Sequence, residues 1–215
     1  DISLKNGRQD IQFQYRHNSP NNARINPSVT NIIDIFVVVE SYHDAYKKYT
    51  QDTTGTIVAP IEPTISELTT LYKTLHDHKM LSDNIVLNSV KFKSLFGSKS
   101  EDGLQADISV VKEKNSLVSG TEIKSRMVSH INEYFDIGNW DFGDTFYFSE
   151  LSAYLHDKMG DIIGTVVLVP RDSNKTFGDL YEIGSASNEI FTSSATVDDI
   201  KVINSLTSSN LNGIA

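Results

Sequence analysis

The chain has 215 residues, 39% of them hydrophobic, with no cysteine and a formal net charge of -9. This length and apolar content suffice for a full hydrophobic core and argue against a disordered chain. The missing cysteines exclude disulfides, thiolate metal sites and a cysteine nucleophile. The acidic charge argues against nonspecific nucleic-acid binding, which requires clusters of Lys and Arg.

Neither a secretory signal nor a membrane span is predicted from the sequence. The longest apolar run, from Ile35 to Val39, is far too short to cross a lipid bilayer. Because the chain begins with Asp1 rather than Met, we expect it to be part of a longer protein.

Three regions follow one another along the chain. Residues 1–30 are polar and rich in Asn and Pro, and we predict that they form an N-terminal arm. Residues 31–170 alternate strands with amphipathic helices, which predicts an α+β body. The order predicts a ferredoxin-like split β-α-β pattern, an antiparallel or mixed sheet with helices on one face. Residues 171–215 hold short strand candidates between polar turns and are predicted to form a small β-rich C-terminal appendage.

Local signals within the body predict where its elements begin and turn. Thr64 with Glu67, and Ser119 with Glu122, have the spacing of a capping box and predict two helix starts. The polar segment 97–103 separates two alternating segments, a pattern typical of a β-hairpin.

The densest aromatic stretch, NWDFGDTFYFSEL, extends from Asn139 to Leu151 and contains the single Trp of the chain. Aromatic side chains bury the largest areas, so we expect the elements of the body to converge here, with Gly143 providing a turn. Ser149 is predicted to cap the helix that follows. The predicted structural core residues are Trp140, Phe142, Gly143, Phe146, Phe148 and Leu151.

The acids around this stretch are candidates for catalysis. The spacing of three acids, Asp141, Asp144 and Glu150, resembles that of a paired-carboxylate site, but the sequence has no nucleophile motif or phosphate-binding loop near them. His76 and His78 are two positions apart near the end of a predicted helix, which points them to different faces and disfavours a shared metal ion. We therefore predict a scaffold or binding module rather than an enzyme, with no catalytic, cofactor-binding or metal-binding residue.

Long runs of the sequence resemble the C-terminal region of the baseplate wedge proteins of the baseplate J-like family. These proteins belong to the contractile tails of T-even-like phages and cyanophages. The runs are WDFGDTFYFSELSAYL (140–155), NPSVTNIIDIFVV (26–38), KMLSDNIVLNSVKFKSLFGSK (79–99), FGDLYEIGSASNEIF (177–191) and ATVDDIKVI (195–203). Family members are much longer, so this chain is similar to their C-terminal part.

The resemblance implies a structural virion protein of the tail baseplate, assembled in the host cytoplasm. The implied partners are a second copy within a wedge, a ring of further wedges and other baseplate wedge proteins, without nucleic acid or membrane. The resemblance brings no catalytic residue and no cofactor. Two alternatives stay open: a tail hydrolase that degrades the host envelope, and a small-molecule-binding module.

Contacts between subunits are expected from the arm 1–30 and the appendage 171–215. Both lie outside the strand–helix pattern, and both contain short strands that another chain can pair with. Deletion of 171–215 is then expected to leave a folded monomer that does not assemble. The predicted interface residues are Leu180, Tyr181, Ile190, Phe191 and Ile200.

Overall fold

The computed structural model describes residues 32–74, 84–172, 174, 176–178 and 180–204. The predicted arm 1–30, together with His76 and His78, lies outside these residues. The described residues divide into two compact units, one with residues 32–37, 63–74 and 84–89, and the other with residues 38–62 and the described residues from 90 to 204.

The described chain contains both helices and strands, in an order that mixes single helices with runs of strands, which confirms the α+β class. The helices are α1 (Glu40–Thr50), α2 (Ile65–Leu71), α3 (Gly120–Tyr134) and α4 (Phe148–Met159). The strands are β1 (Ile32–Val37), β2 (Asn84–Ser89), β3 (Lys91–Leu95), β4 (Ala106–Lys112), β5 (Thr145–Tyr147), β6 (Ile163–Pro170), β7 (Glu182–Gly184), β8 (Glu189–Ser193) and β9 (Ile200–Asn204). None of these helices is long and apolar enough to span a lipid bilayer.

The first unit combines a two-stranded parallel sheet with one helix. β1 pairs with β2, and α2 packs against β2. Parallel strands require a long connection, and α2 lies within the segment that provides it. Thr64 Oγ1 accepts a hydrogen bond from the Glu67 N–H at 3.3 Å, and Glu67 Oε2 accepts from the Thr64 N–H at 2.8 Å. This reciprocal pair confirms the predicted capping box at the start of α2.

The second unit contains three small sheets. β4 is the central strand of a three-stranded sheet, antiparallel to β6 and parallel to β9. β3 pairs in parallel with β8, and β5 pairs in antiparallel fashion with β7. The division of the described strands among several sheets does not confirm the ferredoxin-like pattern, because the order of strands along a chain does not determine which of them pair.

Helices α3 and α4 bury one face each in the core of this unit. The helix α3 packs on α4 and β9, and α4 packs on β6. The buried residues recur at helical spacing, so each helix presents one continuous apolar stripe to the sheet. They are Ile123, Met127 and Ile131 of α3 and Phe148, Leu151, Leu155 and Met159 of α4.

Only one of the two hydrogen bonds of the predicted capping box is formed at the start of α3. Ser119 Oγ accepts from the Glu122 N–H at 3.2 Å, as the spacing predicts. The Glu122 carboxylate instead forms an ion pair with Arg126, one turn further along the helix.

The segment 97–103 does not close a hairpin, so that prediction is wrong. β3, before the segment, pairs with β8, whereas β4, after it, pairs with β6 and β9. Phe96, at the end of β3, has a φ of +79° and forms one isolated bridge to Gln105. This left-handed conformation, unusual for a residue other than glycine, redirects the chain between the two sheets.

Residues 182–204 are integrated into the second unit, so the predicted boundary between the body and a C-terminal appendage at residue 170 does not separate the two units. β7, β8 and β9 pair with β5, β3 and β4, respectively. Ile190, Phe191 and Ile200 are buried in this core. A deletion of 171–215 removes these strands, so we now expect it to unfold the second unit rather than to leave a folded monomer.

Ionic contacts connect the three-stranded sheet to the segment that precedes β9. Asp107 on β4 accepts hydrogen bonds from Lys201 Nζ at 2.6 Å and from Arg171 Nε at 3.2 Å. Arg171 also donates to Asp199, a buried carboxylate that accepts two further bonds from Thr196 at 2.7 and 2.9 Å. The buried charge of Asp199 is thus compensated by a cation and by polar groups.

The variant Asp107→Asn is expected to be less stable than the parent at neutral pH, and this difference in stability is expected to become smaller in acid. The hydrogen bond from Lys201 holds the pKa of Asp107 below its usual value, with a smaller contribution from Arg171 and with burial acting in the opposite direction. A carboxylate with a depressed folded-state pKa stabilises the fold above its unfolded pKa of about 3.9, and this stabilisation is lost as the pH falls through the folded-state pKa. We expect a loss of about 1 kcal/mol at pH 7 that shrinks towards zero below about pH 4.

Urea unfolding of the parent and the variant at pH 7, 5 and 3 measures this difference. Asp161→Asn, a change of the same charge at an exposed position, serves as the control. A difference between parent and Asp107→Asn that is equal at all three pH values would show that the carboxylate charge does not stabilise the sheet.

Candidate functional site

The side chain of Trp140 is fixed between α3 and β5 by contacts on three sides. Its Nε1–H donates to the carbonyl oxygen of Tyr134 at 3.0 Å. Its ring stacks on Phe135, with a centroid distance of 5.5 Å and an interplanar angle of 8°, and meets Phe191 edge-on at 5.0 Å. These contacts hold the half-buried indole in one orientation at the surface of the second unit.

The chain reverses direction immediately after Trp140 in a β-turn from Asp141 to Asp144. Gly143 has a φ of +78°, the left-handed conformation that glycine adopts without strain. Asp144 Oδ2 accepts from the Asp141 N–H at 2.7 Å. The carbonyl oxygen of Asp144 accepts from the N–H and the hydroxyl of Ser185, both at 2.9 Å. The turn is therefore held to the segment that follows β7.

The predicted core residues occupy different environments. Phe146, Phe148 and Leu151 are buried in the core cluster, and Trp140 packs against this cluster. Phe142 was also predicted to be a core residue, but its side chain is 40% exposed. Phe142 is a central residue of the β-turn, and the tip of a turn lies at the surface even when its side chain is aromatic.

The prediction that Ser149 caps α4 is wrong. The helix begins at Phe148, with Tyr147 as its N-cap and without a side-chain capping bond. The Phe148 N–H instead donates to the carbonyl oxygen of Tyr181 at 3.2 Å. A backbone group from a distant loop thus replaces the local cap that the sequence pattern indicates.

Two surface clefts share Trp140 as a lining residue. The first, which we call the apolar cleft, has a volume of about 490 Å³ and is lined mainly by Val38, His43, Ile137, Trp140, Phe142 and Ile190. The second, which we call the tyrosine cleft, has a volume of about 520 Å³ and is lined mainly by Tyr134, Trp140, Asp144, Tyr147, Glu150 and Tyr154. Both volumes lie in the range of sites that bind small molecules or side chains.

The clefts are lined by the carboxylates of Glu40, Asp141, Asp144 and Glu150 and by titratable aromatic groups, three of which have shifted pKa values. Burial, followed by the nearby charge of Glu150, raises the pKa of Tyr134 to about 12. Burial and a hydrogen bond with Glu133 also raise the pKa of Tyr154. Burial, with the charge of Lys47, lowers the pKa of His43 in the apolar cleft. The tyrosine hydroxyls thus stay protonated and can donate hydrogen bonds, whereas His43 is mainly uncharged.

The three candidate acids do not line one common cleft. Asp141 belongs to the rim of the apolar cleft, whereas Asp144 and Glu150 line the tyrosine cleft. One oxygen of Asp144 is already used in the β-turn. In the parts of the chain that the structure describes, no group of three His, Asp or Glu residues is placed to hold a metal ion.

The predicted interface residues fall into two groups. Leu180 and Tyr181 are 73% and 59% exposed and are accessible to another molecule. Ile190, Phe191 and Ile200 are covered by this chain itself, which corrects their prediction as interface residues. Short strands between polar turns resemble exposed edge strands in sequence, but these strands have partners within their own unit.

The sequence predictions missed both clefts and one exposed apolar loop. Tyr134 and Tyr154 follow the apolar stripes of α3 and α4 and resemble ordinary core positions in the sequence. Val58 and Ile61, in the loop after α1, are 85% and 90% exposed. Asp52 fixes the start of this loop, because its Oδ2 accepts from the Ile57 N–H at 2.7 Å. The run of apolar residues within a Pro-containing loop is the signal that could have indicated this surface.

Comparison of the chain with protein-family models finds no matching model, and a search of the curated proteins finds no match. A functional assignment therefore depends on the resemblance of the sequence runs and on the surface features of the described units.

Proposed function

We propose that the chain is part of a structural virion protein, a baseplate wedge subunit of a contractile phage tail. In this role it links wedges into the inner baseplate ring and takes part in the rearrangement of the ring on contraction. The observation that carries the proposal is the resemblance of five long runs to the baseplate J-like family. These runs include β1 to β3, the turn after Trp140 with most of α4, and β7 to β9. The resemblance thus concerns core elements of both units rather than one short motif.

The exposed apolar side chains support a role in protein contacts. Val58 and Ile61 share one loop, and Leu180 and Tyr181 lie next to each other before β7. Isolated exposed apolar residues are ordinary, but neighbouring ones typically mark contact surfaces. A closed ring requires at least two different contacts per repeated unit, and these exposed residues are candidates for such contacts. The proposed partners are a second copy within the wedge and other baseplate wedge proteins.

Immunogold electron microscopy of intact phage from the source lysate tests the proposal. An antibody raised against this chain is expected to label the distal plate of the tail on extended and contracted particles. The same antibody, preadsorbed with the purified chain, is the control for specificity. Antigen found in the soluble lysate but on no particle would contradict the virion role.

The alternative of an envelope-degrading tail domain is tested with the purified chain on peptidoglycan and host polysaccharide. We expect no degradation, because Asp141 lines a different cleft from Asp144 and Glu150, and one carboxylate oxygen of Asp144 is already bonded to the Asp141 N–H within the β-turn. Cleavage that is lost in Asp141→Asn or Glu150→Gln would replace the baseplate proposal with a hydrolase.

A further inference from the structure

The tyrosine cleft combines aromatic and acidic lining residues. Tyr134, Tyr147 and Tyr154 line it together with Asp144 and Glu150. The face of an aromatic ring attracts an ammonium or guanidinium group, and a nearby carboxylate adds a charge-assisted hydrogen bond. This composition suits a cationic side chain better than an anionic or a purely apolar one.

The Glu150 carboxylate is available to such a ligand. Within the described part of the chain it forms neither an ion pair nor a side-chain hydrogen bond, and the residue is exposed. Glu150 and Tyr134 line the same cleft, and the charge of Glu150 contributes to the raised pKa of Tyr134. An exposed cation that enters the cleft would therefore meet both an aromatic face and an uncompensated charge.

The same kind of contact already occurs within this unit. Lys158 Nζ lies 5.4 Å from the ring centre of Tyr154 and 3.5 Å from Glu133 Oε1. Lys99 Nζ lies 4.8 Å from the ring centre of Tyr49. Lys158 is not among the residues that line the tyrosine cleft, so its contact with Tyr154 shows the type of interaction without accounting for Tyr147 and Glu150.

The neighbouring apolar cleft indicates a polypeptide segment rather than a free amine. It shares Trp140 with the tyrosine cleft, and Val38, Ile137 and Phe142 give it an apolar lining. Glu40 and Asp141 add negative charge to its rim. A ligand that fills both clefts needs a cationic group next to an apolar one, a pairing that a protein segment provides with adjacent side chains.

We infer that the two clefts that share Trp140 bind a segment of a basic partner protein, with an arginine side chain in the tyrosine cleft and an apolar side chain in the apolar cleft. Arginine fits better than lysine, because its planar guanidinium stacks on a tyrosine ring while it donates two hydrogen bonds to a carboxylate. The net charge of -9 of the chain favours encounter with such a partner. This binding does not depend on the baseplate role.

The fluorescence of Trp140 provides a direct binding signal, because it is the single Trp and lines both clefts. The probes are four acetylated, amidated tetrapeptides at constant ionic strength: Gly-Leu-Arg-Gly, Gly-Leu-Lys-Gly, Gly-Leu-Gln-Gly and Gly-Gly-Arg-Gly. We expect a saturable change in Trp140 fluorescence with Gly-Leu-Arg-Gly and weaker binding of Gly-Leu-Lys-Gly and Gly-Gly-Arg-Gly. With Gly-Leu-Gln-Gly we expect no saturable change in fluorescence. No saturable change with any peptide, or an equal response to the glutamine peptide, would overturn the inference.

Glu150→Gln tests the role of the carboxylate with little change in shape. We expect it to raise the dissociation constant of the arginine peptide about threefold to tenfold, the range for an exposed ion pair beside an aromatic ring. Glu122→Gln is the matched control, because Glu122 holds the same position in the first turn of α3 that Glu150 holds in α4. If both variants bound the arginine peptide equally weakly, binding would depend only on the net charge of the chain, and the specific role of Glu150 would be contradicted.

Tyr147→Leu keeps an apolar side chain on β5 but removes the aromatic ring. We expect this variant also to bind the arginine peptide more weakly than the parent does. Circular dichroism and the thermal midpoint establish that each variant is folded. Tetramethylammonium is a further probe. If it binds as tightly as the arginine peptide, the cleft is a site for a small ammonium ion, and the inference of a partner segment is overturned.

Discussion

Replacement of Phe146 by alanine is expected to destabilise the second unit by about 3–5 kcal/mol, the usual cost of removing a buried phenylalanine ring. The Phe146 side chain is fully buried, and its ring lies at the centre of the aromatic cluster. Truncation leaves a cavity that the surrounding rings cannot fill, because they are held in place by their contacts with one another. The rings with centroids 4.9–6.3 Å from that of Phe146 belong to Phe96, Tyr134, Phe135, Trp140, Phe148 and Phe191.

Chemical denaturation followed by Trp140 fluorescence measures this loss, because the indole contacts the same cluster. Phe142→Ala is the matched control: it removes the same ring from the tip of the β-turn, where the side chain is 40% exposed. We expect the control to cost less than about 1 kcal/mol. Similar losses in both variants would show that the core does not centre on Phe146.

Replacement of Gly97 by alanine is expected to destabilise the same unit by about 3 kcal/mol or more, the upper range for overpacking a buried site. A Cβ atom at Gly97 would lie 1.8 Å from the carbonyl oxygen of Ser194 and 2.5 Å from its carbonyl carbon. The two backbones cannot separate freely. The Gly97 N–H donates to Ser194 Oγ at 3.0 Å, and the Ser194 N–H donates to the carbonyl oxygen of Leu95 at 3.0 Å. The substitution therefore forces apart the ends of β3 and β8.

Gly103→Ala is the control for this variant, since Gly103 belongs to the same polar segment. A Cβ atom at Gly103 has no heavy atom within 4 Å, and the φ of the residue is not in the left-handed region. Alanine should be neutral there or stabilising by up to about 1 kcal/mol, because it restricts the unfolded chain. Thermal unfolding of both variants compares them directly, and a neutral Gly97→Ala would disprove the close approach of the two strands.

Features with a local cause were predictable from the sequence. The capping box of Thr64 and Glu67 and the buried stripe of Ile123, Met127 and Ile131 depend on residues within one or two helical turns. Strand pairing was not predictable in this way. The strands β3 and β4 satisfy the pattern of a hairpin, yet their partners lie 51 to 98 residues later in the chain. A single sequence contains no signal that selects these partners.

The candidate site also depends on contacts between residues that are distant in the sequence, so only part of it could be predicted. The sequence identified the aromatic stretch but not which of its rings face the core, because Phe142 and Phe146 differ only in their position relative to Gly143. The tyrosine cleft combines Tyr134 from α3, Tyr147 from β5 and Tyr154 from α4. Such a site exists only after the helices have packed, so no motif in the sequence can represent it.

The parallel pairing of β8 with β3 and of β9 with β4 also sets the time at which this unit can fold during synthesis. Until residues 189–204 have left the ribosome, β3 lacks its partner strand and β4 has one open edge. Contacts between positions so distant in sequence form slowly, so nascent copies carry these open edges for an extended time. On polysomes, where several copies are synthesised side by side, exchange of β8 or β9 between chains is the misassembly that this topology favours.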